Sequence, residues 1–242
     1  MEFDPVIPMA LPFSDPNATL DLVGGKGALL AQITQAGLPV PGGFCVTTES
    51  YRRFLEENGL QDRMLHAISS ASLERMETIA EASSDIERWF ADGVMPVEVV
   101  RSVRGLYAGL GGETVAVAVR SSASIEDLPG FSSAGQLETF LNVQGETELL
   151  EAIKRCWASL WSERAIGYRW KHRIPSDGLG MAVVVQVLVP ADASGVLFTA
   201  DPVTGERNRI LIDASWGLGS ASTEAKVRSR SIRMDEGAGE SQ

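Results

Sequence analysis

The sequence predicts an α+β fold with a mostly antiparallel sheet, and two observations on the spacing of apolar residues support this prediction. From Leu20 to about Gly112 the spacing is mainly helical, whereas alternating or continuous β-branched segments begin at Thr114. Beyond that point, strand-like and helix-like segments are mixed without strict βα alternation. We therefore expect a helical N-terminal lobe at residues 1–112 and a sheet-rich lobe with helices at residues 113–219.

Two helices are well marked in the N-terminal lobe. The first is predicted over residues 26–35, because Gly37 and Pro39 follow it in the order typical of a helix end. The second is predicted to begin with Thr48 as its N-cap and to end at Asn58-Gly59. Its apolar residues recur at positions i, i+3 and i+4, so one face is expected to be buried.

The sheet-rich lobe is predicted from β-branched segments and one long amphipathic helix. The candidate strands are residues 114–119, 138–143, 181–189, 194–199 and 209–213. A single helix is expected from Thr147 to about Lys171, since its large apolar residues share one face. Residues 220–242 contain no Leu, Phe, Tyr or Trp. They predict a polar tail that is disordered or weakly helical.

Composition and charge limit the function classes. The chain has 242 residues, of which 44% are hydrophobic, and a net charge of −11. This charge opposes general binding to nucleic acid or to an anionic membrane surface. No apolar segment approaches the roughly 18 residues of a membrane span, and the N-terminus lacks the basic region of a secretory signal. Cys45 and Cys156 lie far apart without CxxC spacing, which favours the cytoplasm.

The segment Gly24-Gly25-Lys26-Gly27 is the first candidate site. Glycines allow close approach of a ligand to the backbone, a following helix directs amide groups at an anion, and Lys26 adds a positive charge. It is not a Walker A loop, since Gly27 stands where that motif needs a hydroxyl residue after the lysine. A plain turn is the alternative interpretation.

Three further features could bind a ligand. Arg120 comes at the end of a predicted strand, where its guanidinium can grip a phosphate or pair with Glu126 or Asp127. The small-residue loop 130–136 can fold over a polyphosphate or be a flexible hairpin without function. Gln186 interrupts a valine-rich segment, so its amide needs a partner, which is either the backbone or a ligand.

Several segments together resemble a known family. They are VGGKGALL, LPVPGGFCVTTESY, VAVRSSASIEDLPGFSSAGQLETFLNV, CWASLWSERAIGYR, VVVQVLVPADASGVLFTADPVTG and IDASWGLG. In this order and spacing, they resemble the N-terminal nucleotide-binding domain of the phosphoenolpyruvate synthase and pyruvate phosphate dikinase family, which includes rifamycin phosphotransferase. The resemblance extends from about Leu20 to Gly219.

This resemblance implies an ATP-grasp-like fold that binds ATP and Mg²⁺ and passes phosphoryl groups to a histidine on a separate swivelling domain. It implies that Lys26 and Arg120 hold and neutralise the polyphosphate as the catalytic residues. By the same resemblance, Gly135 and Thr139 lie on the loop that covers the phosphates, and Gln186 contacts the adenine end. Phosphoryl transfer depends mainly on positioning and charge neutralisation, which suits these residue types.

The resemblance also predicts what this chain lacks. After Gly219 the family pattern stops, and the family's metal ligands, phosphorylated histidine and substrate domain would lie beyond the chain. One expectation is therefore an ATP-binding module that works with another chain carrying those domains. The alternative is a truncated, non-catalytic remnant that binds nucleotide weakly or not at all.

Overall fold

The structure is a computed structural model, and it describes residues 7–71, 75–112, 114–123, 138–202, 204–207, 209–218 and 230–235. The helices are α1 Leu20–Gln35, α2 Thr48–Glu57, α3 Leu60–Ser70, α4 Met76–Asp92, α5 Val97–Ala108, α6 Glu146–Ser159 and α7 Glu163–Lys171. The strands are β1 Ala10–Pro12, β2 Gly43–Val46, β3 Val117–Ala123, β4 Thr139–Val143, β5 Met181–Val187, β6 Ala193–Phe198, β7 Arg209–Trp216 and β8 Arg230–Asp235. Each strand pair in these residues is antiparallel, so the predicted α+β class is confirmed.

The chain divides into two compact units, Met1–Leu188 and Val189–Gln242. The first contains a five-stranded sheet of order β1-β2-β5-β3-β4, and the second contains a three-stranded sheet of order β6-β7-β8. This division differs from the predicted boundary between residues 112 and 113. Strands β1 and β2 precede that boundary, yet they share a sheet with β3, β4 and β5, which follow it.

One face of the five-stranded sheet packs against helices α2, α5 and α6. Three further helices complete this layer. Helix α3 packs against α2 and α4, helix α4 also packs against α6, and helix α7 packs against α4. The core there contains a cluster of four aromatic side chains with ring centroids 5.3 to 6.2 Å apart: Tyr51, Phe54, Phe90 and Trp157. Most of the helical residues of the first unit therefore serve to cover one side of the sheet.

Helix α1 covers the opposite face of the same sheet. It contributes Val23 to a second, smaller core together with Leu11, Phe13, Cys45 and Val184. The helix begins at Leu20 rather than at Lys26 as predicted, and it is kinked at Gly24, which has φ 65° and ψ 175°. Because a Cβ at Gly24 would lie 2.1 Å from the carbonyl oxygen of Ser122, only glycine allows α1 to approach β3 this closely.

Two helix predictions need correction. The predicted continuous helix from Thr147 to Lys171 is two helices, because Ser162 caps a new one by accepting a hydrogen bond from the Ala165 amide at 3.3 Å. At the end of α6, the Leu160 carbonyl oxygen accepts a hydrogen bond from the buried Arg169 guanidinium of α7, at 2.6 Å. At α2 the N-cap is Thr47, and the Thr48 hydroxyl donates to the Asp21 carbonyl oxygen at 2.9 Å.

Part of the predicted polar tail forms a strand in the second unit. Residues 230–235, within the segment expected to be disordered or weakly helical, form β8. This strand pairs with β7 from Ala214↔Arg230 to Arg209↔Asp235. Backbone hydrogen bonds along β7 hold such a strand irrespective of its apolar content, and composition alone does not reveal that partner.

In the described parts of the chain, no helix combines the length and apolar character needed to cross a bilayer.

Lys154 is a buried cation whose ammonium satisfies the end of another helix. Its side chain is 8% exposed, and Nζ donates to the carbonyl oxygen of Ala91 at 2.7 Å and pairs with Glu151 at 2.8 Å. We expect Lys154→Ala to lower the free energy of unfolding by about 1–3 kcal/mol, since a carbonyl at the end of α4 loses its partner. Glu151, 53% exposed, is the control, and Glu151→Ala should cost less than about 1 kcal/mol. Urea denaturation followed by circular dichroism measures both, and equal losses would contradict this account.

Two glycines with positive φ allow the cost of backbone strain to be compared with the cost of a steric clash. Gly37 has φ 75° with no atom within 4 Å of an added Cβ, whereas Gly24 has φ 65° and faces Ser122. Gly37→Ala should therefore cost about 1 kcal/mol. Gly24→Ala should cost more, because α1 must also move away from β3. Unfolding free energies of the two variants test this, and a Gly24→Ala loss no larger than the Gly37→Ala loss would be the contrary result.

Candidate functional site

The face of the five-stranded sheet that carries α1 brings three of the predicted site residues together. Arg120 on β3 lies opposite Thr139 on β4 and opposite Val184 on β5. Gln186 lies two residues beyond Val184, so it is a diagonal neighbour of Arg120 at about 7–8 Å between backbone positions. Side chains alternate along a strand, and the flanking Val119 is buried in the opposite core. Arg120, Thr139 and Gln186 therefore belong to the α1 face.

The glycine-lysine segment reaches this face through Ser122. The Ser122 hydroxyl is fully buried, accepts a hydrogen bond from the Gly27 amide at 3.1 Å, and donates to the Val23 carbonyl oxygen at 2.7 Å. Gly27 itself lies against β2, because an added Cβ there would be 2.8 Å from Cys45 Sγ. The expectation that these glycines admit a ligand needs refinement, since Gly24 and Gly27 allow contact between α1 and the sheet.

Lys26 is half-buried between these two glycines. Burial raises the pKa of the Cys156 thiol, the charge of Glu138 raises it further, and the charges of Arg155 and Lys26 lower it. Glu138 stands directly before β4, which begins at Thr139. The neighbouring Ser121 amide donates to the Glu138 carbonyl oxygen at 3.3 Å, so β3 and β4 are joined at this end.

Arg120 lies within β3 rather than at its end, because the strand continues to Ala123. Its side chain is exposed, although both neighbouring strands pair with its backbone. The alternative ion pair with Glu126 or Asp127 lies outside the described residues. Among the described residues, the Arg120 guanidinium is therefore an exposed positive charge on a backbone that two strands hold in place.

Gln186 has a backbone partner. Its Nε2 donates to the Pro41 carbonyl oxygen at 3.3 Å, and its side chain is half-buried rather than enclosed. The backbone alternative raised by the sequence is thus present, and the amide oxygen is the other polar end of the same group. Thr139 is exposed at the first position of β4, whereas Gly135 lies outside the described residues.

Three cavities lie among the helices on the opposite side of the sheet. Their volumes are about 500 Å³ beside Tyr107, about 150 Å³ beside Arg155 and about 90 Å³ beside Met64. None of these three is lined by Lys26, Arg120 or Gln186. On the α1 face, the described residues Arg120, Thr139 and Gln186 supply charge and hydrogen-bonding groups. The described residues hold no group of three or more His, Cys, Asp or Glu arranged for a metal ion.

Local sequence patterns did not reveal Ser122 as the partner of the glycine-lysine segment. The two lie 95 residues apart, and the contact exists only because β3 runs beneath the start of α1. The one available signal was the pair of small hydroxyl residues directly after Arg120. Small side chains at the end of a strand are compatible with close packing of a helix, but they do not identify which helix.

Known proteins match this chain over most of its length. The profile of the family described as pyruvate phosphate dikinase, AMP/ATP-binding domain, matches residues 20–240. The prediction that the family resemblance stops at Gly219 is therefore wrong. The matched region includes β8, which pairs with β7 inside the second unit.

Curated relatives carry two different names. A probable phosphoenolpyruvate synthase of Staphylothermus marinus is 42% identical over 212 residues, covering 85% of this chain and 25% of that protein. A phosphoenolpyruvate synthase of Aeropyrum pernix is 46% identical over 213 residues, covering 86% of this chain and 26% of that protein. A rifampicin phosphotransferase of Bacillus cereus is 42% identical over 218 residues, covering 90% of this chain and 25% of that protein.

The chain thus spans about a quarter of the length of these relatives, in a region that both kinds of protein share. The family profile extends over nearly all of it and includes both units of the structure. The protein belongs to the pyruvate phosphate dikinase AMP/ATP-binding domain family.

Proposed function

We propose that this chain binds ATP with Mg²⁺ and presents it for phosphoryl transfer to a histidine carried by another domain. The observation that carries the proposal is the placement of Lys26 beside the strand of Arg120, on one sheet face, in a chain whose family is an AMP/ATP-binding domain. In this proposal the module has an ATP-grasp-like role. It supplies binding and charge neutralisation, which are the main protein contributions to phosphoryl transfer.

The polyphosphate would lie between Lys26 and Arg120. The net charge of −11 repels a free anion, so local positive groups must supply the attraction. The Arg120 guanidinium offers paired donors to two phosphate oxygens, and the Lys26 ammonium offers a compact charge at the start of the helix beyond the Gly24 kink. Both groups act as catalytic residues here, because they touch the transferred phosphoryl group or its neighbours.

The remaining site residues would fix the two ends of the nucleotide. Thr139 stands opposite Arg120 and can donate its hydroxyl to a phosphate oxygen, and Gly135 belongs to the loop assigned to cover the phosphates. Gln186 is diagonal to Arg120 and lies toward β2, so its amide suits the adenine end. A primary amide can both donate to and accept from a base edge.

Mg²⁺ would be held chiefly by the phosphates of ATP. This ion keeps several waters and uses few protein carboxylates when it binds a nucleotide, so a site does not need a cluster of acidic residues. The residues present fit the nucleotide better than the bare ion, since the described part of the α1 face offers Arg120, Thr139 and Gln186 as side-chain groups. When bound, the ion would neutralise charge on the transferred phosphate.

The relatives' names favour a role in binding the phosphoryl donor. A phosphoenolpyruvate synthase and a rifampicin phosphotransferase are each 42% identical to this chain, although their names point to different products or acceptors. A region shared equally by both suits the donor that both can use. The phosphohistidine and acceptor functions would then reside in other domains, in the same polypeptide or in a partner chain.

The alternative of a weakly binding or non-binding remnant loses the observation that motivated it. That observation was the apparent end of family resemblance at Gly219, whereas the family match continues to residue 240.

Both cysteines are buried and free, which agrees with a reducing compartment, and we place the protein in the cytoplasm.

Removal of either cation should weaken binding of the polyphosphate. We expect Lys26→Ala and Arg120→Ala each to reduce the affinity for a non-hydrolysable ATP analogue with Mg²⁺ by tenfold or more, about 1.4 kcal/mol. Isothermal titration calorimetry measures this loss. Arg101→Ala, which removes an exposed charge on α5, is the control and should change the affinity by less than about twofold. Equal binding by all four proteins, or no binding by the unmodified chain, would refute the proposal.

The adenine end can be tested separately through Gln186. Gln186→Ala should weaken AMP and the ATP analogue by the same factor, about threefold to thirtyfold, since one hydrogen-bonding group to the base is lost. Lys26→Ala, in contrast, should weaken the ATP analogue more than AMP. If Gln186→Ala affected only the triphosphate, its assignment to the adenine end would be wrong.

A further inference from the structure

We infer that Ser122 is a positioning residue that fixes Lys26 relative to Arg120 for binding the polyphosphate. This inference rests on the proposed function and adds a residue that does not itself contact the nucleotide. Its basis is a pair of buried hydrogen bonds from one hydroxyl to the backbone on both sides of the kink in α1.

Ser122 replaces the N-cap side chain that Gly24 cannot supply. In a helix with a capping side chain, the N-cap residue itself accepts a hydrogen bond from an amide two or three positions along. Here the helix resumes after the kink at Gly24, and the Gly27 amide, three positions along, donates to Ser122 Oγ at 3.1 Å. The hydroxyl proton goes to the Val23 carbonyl oxygen at 2.7 Å. The capping group thus comes from the sheet and not from the helix.

The contact leaves little freedom for the segment that contains Lys26. Gly24 lies so close to β3 that an added Cβ would be 2.6 Å from Ser122 Oγ. Ser122 itself has no exposed surface, so water cannot easily replace either hydrogen bond. Lys26 lies between Gly24 and Gly27, and both of these residues contact the sheet. The lysine backbone is therefore held at both ends.

The same serine is tied to Arg120 through the strand. Ser122 lies two residues beyond Arg120 on β3, so both side chains are on the α1 face. This strand is paired with β4 on one side and β5 on the other, which fixes its backbone. One hydroxyl consequently sets the spacing between the backbone segments that carry Lys26 and Arg120. Holding both backbones in place lowers the entropy cost of ordering the two cations around a polyphosphate, and the part that remains is the rotamer freedom of the two side chains.

A positioning role differs measurably from a role in stability alone. If Ser122 only stabilises the fold, its loss should change the affinity for AMP and for an ATP analogue alike. If it positions Lys26, the loss should grow with the number of phosphates. It should also disappear when Lys26 is already absent, since coupled residues are not additive.

The experiment is calorimetric titration of the purified chain and its variants with AMP and with a non-hydrolysable ATP analogue, each with Mg²⁺. We expect Ser122→Ala to weaken the ATP analogue about tenfold and AMP less than about twofold. In the Lys26→Ala background, Ser122→Ala should weaken the analogue by less than about twofold. Ser121→Ala is the matched control, because Ser121 is also buried but points to the opposite face, where its hydroxyl lies 3.4 Å from the Glu138 carbonyl oxygen.

Ser122→Cys provides a second variant that keeps the shape of the side chain, with a somewhat larger sulfur atom and a weaker hydrogen-bonding group. It should show a smaller loss than Ser122→Ala in the same direction, and it carries the test if the alanine variant does not fold. Equal losses for AMP and the analogue, or an undiminished effect in the Lys26→Ala background, would overturn the inference while leaving the proposed function intact. Failure of the unmodified chain to bind either nucleotide would overturn both.

Discussion

The close approach of helix α1 to strand β3 is the constraint on which the candidate site depends. Gly24 makes it possible, because its φ of 65° and the position of the Ser122 carbonyl both exclude a side chain. The helix then buries Val23 against Cys45 and Val184, and burial raises the pKa of the Cys45 thiol to about 12. That thiol therefore stays protonated and acts as an apolar group beneath the helix. Backbone geometry, more than charge, determines where the lysine stands.

The sequence predicted those parts of the fold that have a local signal. The valine-rich β5 and the amphipathic α2 follow directly from their periodicity. Short β2 and polar β8 have no such signal, since they are held by pairing with other strands, β2 with β1 and β5 and β8 with β7. The break between α6 and α7 was missed because apolar residues continue through it, while the cap at Ser162 decides the boundary.

The candidate site was predictable as a set of residues but not as an arrangement. Local patterns singled out Lys26, Arg120 and Gln186, and the family resemblance added Thr139. Sheet register places the last three on one face. The role of Ser122 depends on a contact across 95 residues, which no local pattern contains. The glycines of the motif illustrate the same limit. Two of them allow contact between helix and sheet, although glycine-rich sequence equally suits direct contact with a ligand.

Strand β5 lies at the centre of its sheet, between β2 from the start of the unit and β3 from its middle. A ribosome releases these segments in the order β2, β3, β5, and β2 and β3 do not pair with each other. The nascent chain consequently holds two edges that await the same missing strand. The α1 face can be completed only after Val187 has left the exit tunnel, so the five-stranded sheet cannot close while β5 is still inside the ribosome.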